Sequence, residues 1–187
     1  GARRPHAGKL LAVWHARPPE GGQKRAHACW LDPLRTLCPT LPVGPNSLSS
    51  MPPVAVAGHV FWIGVENGQQ RLRACRPDPQ GSECLEYDLG LEEGLPSFLS
   101  SDGRSLVWTQ RVGFEQRAAV CEVDPASGAC PARILPFAIA PLSGLTLSGR
   151  LLSWVEFVPR QGNSLMICEF DPESGECPTI EVANPVS

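Results

Sequence analysis

Eight cysteines recur in a strict pattern: Cys29 and Cys38, Cys75 and Cys84, Cys121 and Cys130, Cys168 and Cys177. Every pair encloses eight residues, and the first members of successive pairs lie 46, 46 and 47 residues apart. A period of that length means that the chain repeats one supersecondary unit four times, each copy needing a neighbour to cover its faces. A second marker keeps the period upstream of the cysteines, with Trp14, Trp62, Trp108 and Trp154 spaced 48, 46 and 46. Four of the five tryptophans are thus one position repeated.

Each tryptophan ends a short apolar run that follows a turn, as in Gly58-His-Val-Phe-Trp62, Gly103-Arg-Ser-Leu-Val-Trp108 and Gly149-Arg-Leu-Leu-Ser-Trp154. These runs have strand length and strand composition. A polar loop follows, then the run carrying the first cysteine, such as Arg117-Ala-Ala-Val-Cys121 or Ser164-Leu-Met-Ile-Cys168, apolar at both alternating positions. Such a strand lies in a sheet covered on both faces. One more short segment precedes the tryptophan run: Val54-Ala-Val56, Pro96-Ser-Phe-Leu99 or Ser143-Gly-Leu-Thr-Leu147. With the segment after the second cysteine, each unit has four short strands. The 20 prolines and 18 glycines among 187 residues exclude an all-α fold. The pattern predicts an all-β chain, a β-propeller of four repeated four-stranded antiparallel blades. One domain spans 1–187, with blades near 1–46, 47–94, 95–141 and 142–187, and the repeated tryptophans pack between blades. A β-solenoid is the rival architecture, but its coils are shorter and do not call for a hairpin staple in every repeat.

Between the cysteines each unit carries Asp-Pro at the same offset, placing Asp32, Asp78, Asp124 and Asp171 in four equivalent loops. Proline presets φ for a turn, the aspartate caps it, and Gly128 or Gly175 can supply a positive φ. A repeated structural task explains these aspartates better than a repeated ligand site. If the flanking strands pair antiparallel, the cysteines fall opposite one another and form one disulfide per hairpin. The metal alternative fits poorly, because zinc pairs use gaps of two to four residues and converge on one ion. Four disulfides point to an oxidising compartment, hence an exported chain.

The run Ser100-Ser-Asp-Gly-Arg-Ser-Leu-Val-Trp108, followed by Ala119-Val-Cys-Glu-Val-Asp-Pro125, resembles the repeat of TolB-like or WD40-like bacterial propellers. In that family a Ser-Pro-Asp-Gly turn precedes a strand and a second strand ends in Asp. All four units show the likeness, the third most clearly. Ser101 stands where the family usually has Pro, and the paired cysteines are a further departure. The resemblance implies a periplasmic or surface-exposed scaffold for protein contacts.

In units two to four the innermost strand lies about nine residues before the tryptophan. For unit one that position falls near Arg3-Arg-Pro-His6, too polar for a buried strand, and the residues after Cys177 end at Ser187 before another could form. The first blade is therefore expected to lack its innermost strand. With neither end supplying that strand, the chain is expected either to be a piece of a longer protein or to complete its ring with another chain, and its start at Gly rather than Met is expected to reflect processing or cutting. Residues 1–76 hold ten Lys or Arg and three acids, net +7, whereas residues 77–187 hold six Arg and sixteen acids, net −10. That polarity suits a contact between the basic first blades and the acidic last blades, either within one ring or head to tail, with another protein chain or a second copy as partner.

The sequence holds no Gly-x-Ser-x-Gly elbow, no His-Glu-x-x-His helix, no phosphate-cradling loop and no EF-hand spacing. No catalytic residue, metal ligand or cofactor is assigned. His6, His15, His27 and His59 read as ordinary surface histidines, although His15 and His27 could approach across a strand pair. Arg71, Arg73 and Arg76 form a basic cluster that, without interleaved exposed aromatics, suits a protein contact and not nucleic acid. The uncharged stretch Ile134–Gly149 is too short to span a bilayer and contains Pro136 and Pro141, so no membrane insertion is expected. The expected role is a non-enzymatic exported propeller module acting as a protein-interaction or structural subunit. The alternative is a ligand- or carbohydrate-binding, less readily hydrolytic, propeller with its site at the ring centre. Glu92, Glu93 and Asp102 are the acids nearest an innermost strand, and Tyr87 and Trp30 do not repeat as a sugar site in every blade would require.

Overall fold

The structure is a computed structural model that describes residues 10–17, 25–31, 38, 40–43, 51–78, 83–87, 89, 95–139, 144–158, 162–171 and 174–182. All its regular elements are strands, grouped into four separate antiparallel sheets. The first comprises β1 (Leu10–Ala16), β2 (Arg25–Leu31) and β3 (Leu41–Val43). The second comprises β4 (Val54–Val56), β5 (His59–Glu66), β6 (Gln69–Pro77) and β7 (Cys84–Tyr87). The third comprises β8 (Ser97–Ser101), β9 (Ser105–Val112), β10 (Glu115–Glu122) and β11 (Arg133–Ala138). The fourth comprises β12 (Thr146–Ser148), β13 (Leu151–Val158), β14 (Gly162–Glu169) and β15 (Thr179–Val182). Within each sheet the strands pair in sequence order, the meander of a propeller blade. Among the described residues the first blade has three strands; residues 3–6, where its innermost strand would fall, lie outside them. No helix among the described residues is long and apolar enough to cross a membrane.

Local chemistry explains the turns. Asn67 and Gly68 join β5 to β6 with φ of 50° and 77°, the two left-handed residues that a tight hairpin matching strand twist requires. Asp124 accepts hydrogen bonds from the Ala126 and Ser127 amides (2.9 and 2.7 Å) and from the Ser127 hydroxyl (2.9 Å). Asp171 does the same with Ser174, accepting from its amide (3.3 Å) and hydroxyl (2.7 Å). Asp78 closes its loop through the backbone, its N–H donating to the Glu83 carbonyl at 2.8 Å. Asp32 lies outside the described residues.

All four predicted disulfides form, one per blade: Cys29–Cys38, Cys75–Cys84, Cys121–Cys130 and Cys168–Cys177, with Cα separations of 5.3 to 5.6 Å. The partners are not opposite one another as the hairpin reading expected. Cys75 pairs across the sheet with Glu86, and Cys84 pairs with Pro77. The reason is the turn: the Asp124 N–H donates to the Ala129 carbonyl (2.9 Å) and the Asp171 N–H to the Glu176 carbonyl (2.8 Å). Closure at that pair sets the cysteines two positions apart along the strands, still within disulfide reach.

The innermost strands stand side by side, β4 against β8 and β8 against β12, with β1 taking that place beside β4. Three apolar clusters fill the three spaces between the four blades. Val60 and Trp62 of β5 pack with Ala26, Ala28 and Val43 of the first blade. Their alternate neighbours Phe61 and Ile63 pack with Leu106 and Trp108 of the third. Val107 and Leu135 pack with Leu152 and Trp154 of the fourth. Each middle blade buries both faces, which is why its strands are apolar at both alternating positions. The turns that lead into the tryptophan strands also bind one another: the Ala57 N–H donates to the Gly103 carbonyl (3.0 Å), and the Gly149 N–H donates to the Asp102 carboxylate (3.1 Å).

Candidate functional site

Three of the four repeated tryptophans face the preceding blade and are sealed there. Trp62, Trp108 and Trp154 are 1%, 1% and 3% exposed. A buried indole N–H needs an acceptor, and two of them take it from the residue two positions on. Trp108 Nε1 donates to Gln110 (2.9 Å), and Trp154 Nε1 donates to Glu156 (3.0 Å). The Trp-x-Gln and Trp-x-Glu spacing is the sequence signal of these two bonds. Trp14 has no preceding blade within the described residues. It is only half-buried, its ring stacked on that of His27 with centroids 5.8 Å apart.

The other end of the arc carries the complementary vacancy. The fourth blade turns Leu151, Phe157, Ile180 and Val182 outward, and the first three are 51%, 59% and 61% exposed. Ile180 lies beside Ile167 and Val182 beside Leu165 across β14 and β15, while Leu151 and Phe157 lie across from Glu169 and Asn163, so the face is apolar at its centre and mixed at its ends. The second-blade equivalents of Leu151, Ile167 and Leu165 are His59, Ala74 and Leu72, all buried. Among the described residues β12 does not pack on β1 as the other innermost strands pack on one another.

The arginine cluster is divided by strand alternation. Arg71 and Arg73 lie across from Gly64 and Trp62, on the side of β6 that faces the first blade. Arg76 falls on the opposite side and reaches forward, its Nη1 donating to the Ala126 carbonyl in the hairpin of the third blade (3.0 Å). Trp30 holds the same place after its own cysteine, and its Nε1 donates to the Pro77 carbonyl of the second blade (3.4 Å). The residue after the first cysteine thus latches a blade to the next hairpin at two of the interfaces.

His59 is not a surface histidine: it is buried at the interface between the second and third blades. The Tyr87 hydroxyl lies 2.9 Å from its Nδ1 and 3.5 Å from the Gly128 carbonyl, with the two rings edge to face. Gly128 has φ of 75°, and a Cβ there would sit 2.7 Å from His59 Nδ1, so only glycine fits. Burial raises the Tyr87 phenol to about 12, leaving it a neutral donor. Burial lowers the His59 imidazole from 6.5; the Pro125 backbone and Asp124 oppose this, and Arg76 adds to it. His15 and His27 do not meet, because His27 lies across from Trp14 and His15 points to the opposite face.

This burial has a measurable consequence. The unfolded chain binds a proton at His59 more readily than the folded chain, so this contribution to stability is complete above 6.5 and is lost as pH falls through that value. His27, lowered by burial and by Arg25, acts in the same direction. Thermal melts should give a steady melting temperature between pH 8 and 7 that declines toward pH 5, and His59→Gln should flatten part of the decline. Equal slopes for the two proteins would remove His59 from the explanation. Asp124 is held low by the Ser127 backbone and side chain and so acts only in the acid range, below 3.8.

No family model matches the chain, and no curated protein matches it. Solved structures share its fold. TolB from Acinetobacter baumannii aligns with a TM-score of 0.57 and 14% identity over 94% of this chain and 41% of its own. A protein provisionally described as TolB from Agrobacterium tumefaciens aligns at 0.53 and 13% identity, over 94% of this chain and 62% of its own. One provisionally described as a 6-phosphogluconolactonase from Bacteroides uniformis aligns at 0.51 and 16% identity, over 90% and 54%. At these identities the likeness is one of fold, the β-propeller. The chain spans between 41% and 62% of the length of these structures.

Proposed function

We propose that this chain is an exported, non-catalytic propeller segment that serves as a protein-interaction or structural subunit. Its two terminal blade faces are closed head to tail by a second copy. The observation that carries this reading is the exposed apolar face of Leu151, Phe157, Ile180 and Val182, where each preceding blade buries the same face against its neighbour. The surface at the opposite end presents Trp14, the residue type that fills this space at every internal interface. Charge favours the pairing, since the net +7 of residues 1–76 would meet the net −10 of residues 77–187. Four disulfides suit an oxidising compartment.

Native mass spectrometry of protein purified without reductant tests the reading directly. The expected species has twice the chain mass and no free thiol, and its population falls as ionic strength rises, because the charge attraction is screened. A monomer at high concentration and low salt would overturn the second copy as occupant. Free thiols would overturn export.

A further inference from the structure

We propose that the cleft between the third and fourth blades binds a small organic anion carrying an apolar group. The cleft has a volume of about 360 Å³, the scale of a small-molecule site. Val120, Pro131 and Phe170 form its apolar lining, and Arg104, Arg133 and Arg150 contribute the cationic groups. These are three of the six arginines in residues 77–187, gathered at one place in the half of the chain that carries sixteen acids.

The two acids of the cleft are already engaged. Asp102 accepts from the amides of Arg104 (2.9 Å), Ser105 (2.7 Å) and Gly149 (3.1 Å). Glu122 is paired with Arg104, at 2.7 Å from Nε and 2.5 Å from Nη2. Arg150 occupies the place in the fourth blade that Arg104 occupies in the third, yet it forms no ion pair among the described residues. Its guanidinium is therefore the charge left for a ligand, and its planar fork suits a carboxylate or phosphate.

The site is also preformed. The Phe170 N–H donates to the Arg150 carbonyl (2.9 Å), which ties the Phe170 backbone to the residue that carries the guanidinium, and the Phe170 side chain is packed in the cluster between the third and fourth blades. The Asp102 to Gly149 bond ties the two blades across the cleft. A ligand would meet a rigid apolar wall and a cation together, so both parts of an amphiphilic anion are recognised. The proposal does not depend on a second copy, because both blades that build the cleft belong to one chain.

The test is an amide-resolved NMR titration of the oxidised protein with phenyl phosphate, inorganic phosphate and benzyl alcohol. Phenyl phosphate should give saturable shifts at Gly149, Arg150 and Phe170. Inorganic phosphate and benzyl alcohol should each bind at least about tenfold more weakly, lacking the apolar or the charged half. Arg150→Gln should weaken phenyl phosphate about tenfold, the loss of a charge-assisted hydrogen bond. Arg111→Gln, whose side chain lines a different cavity with Phe114 and Gln116, should leave it unchanged. The spectra themselves report whether each variant is folded. Inorganic phosphate binding as tightly as phenyl phosphate would reduce the site to adventitious ion binding and overturn the proposal. So would unchanged affinity in Arg150→Gln, an equal loss in Arg111→Gln, or no saturation. A monomer in native mass spectrometry would leave it standing.

Discussion

Reduction of the four disulfides should unfold this protein at neutral pH and room temperature. Each cross-link joins cysteines nine positions apart, and constraining so short a loop contributes about 2 to 3 kcal/mol. Four such contributions are comparable to the whole stability of a domain, about 5 to 15 kcal/mol. Packing strengthens the case. Cys121 and Cys130 lie inside the cluster between the second and third blades, and Cys168 and Cys177 lie inside the next one. Opening a hairpin therefore loosens a blade face as well as a loop. Because each blade gains its stability from its neighbours, damage to the third should spread to the second and fourth. Melts followed by circular dichroism with and without a phosphine reductant decide the matter. The reduced protein should show no cooperative transition, and replacing Cys121 and Cys130 together should cost about 2 to 3 kcal/mol. A reduced protein that melts within a few degrees of the oxidised one would show that packing alone holds the blades.

The architecture was legible because it is periodic. A tryptophan and a cysteine pair returning every 46 or so residues announce the blade, its strand order and its staple without any knowledge of the neighbours. The details that escaped depend on register and on what lies across an interface. The cysteine offset follows from where Asp124 and Ala129 close the turn, which spacing alone leaves open. The division of Arg71 and Arg73 from Arg76 could have been read from strand parity, since an even step keeps a face and an odd one changes it. His59 could not: its burial is made by Tyr87 of its own blade and Gly128 of the next, 28 and 69 positions away in the chain. The cleft that holds Arg150 was only half legible: Arg104 and Arg150 share a repeat position after Gly103 and Gly149, but that blade stacking sets Arg150 beside Arg104 and Arg133 of the third blade could not be read from the sequence.

Trp14 and Trp108 occupy the same repeat position, and their replacement by alanine should separate the stability of the chain from its assembly. Trp108→Ala removes a fully buried indole from the middle of the arc and leaves the Gln110 amide oxygen without its donor. A loss of about 3 to 5 kcal/mol is expected, the cost of truncating a core aromatic. Trp14→Ala removes a half-buried ring whose described ring contact is with His27. Within a single chain its cost should stay below about 1.5 kcal/mol, as befits partial burial. If a second copy covers that face, the same change should weaken dimerisation at least tenfold, and so should Phe157→Asp at the other end. Urea denaturation and native mass spectrometry on the same samples read the two quantities independently. Equal destabilisation by both tryptophan variants would mean that Trp14 is already enclosed by its own chain. An intact dimer in Trp14→Ala would mean that the copies meet elsewhere. Only a stable chain that has lost its partner fits a tryptophan kept in every blade because every blade, the first included, is met by another.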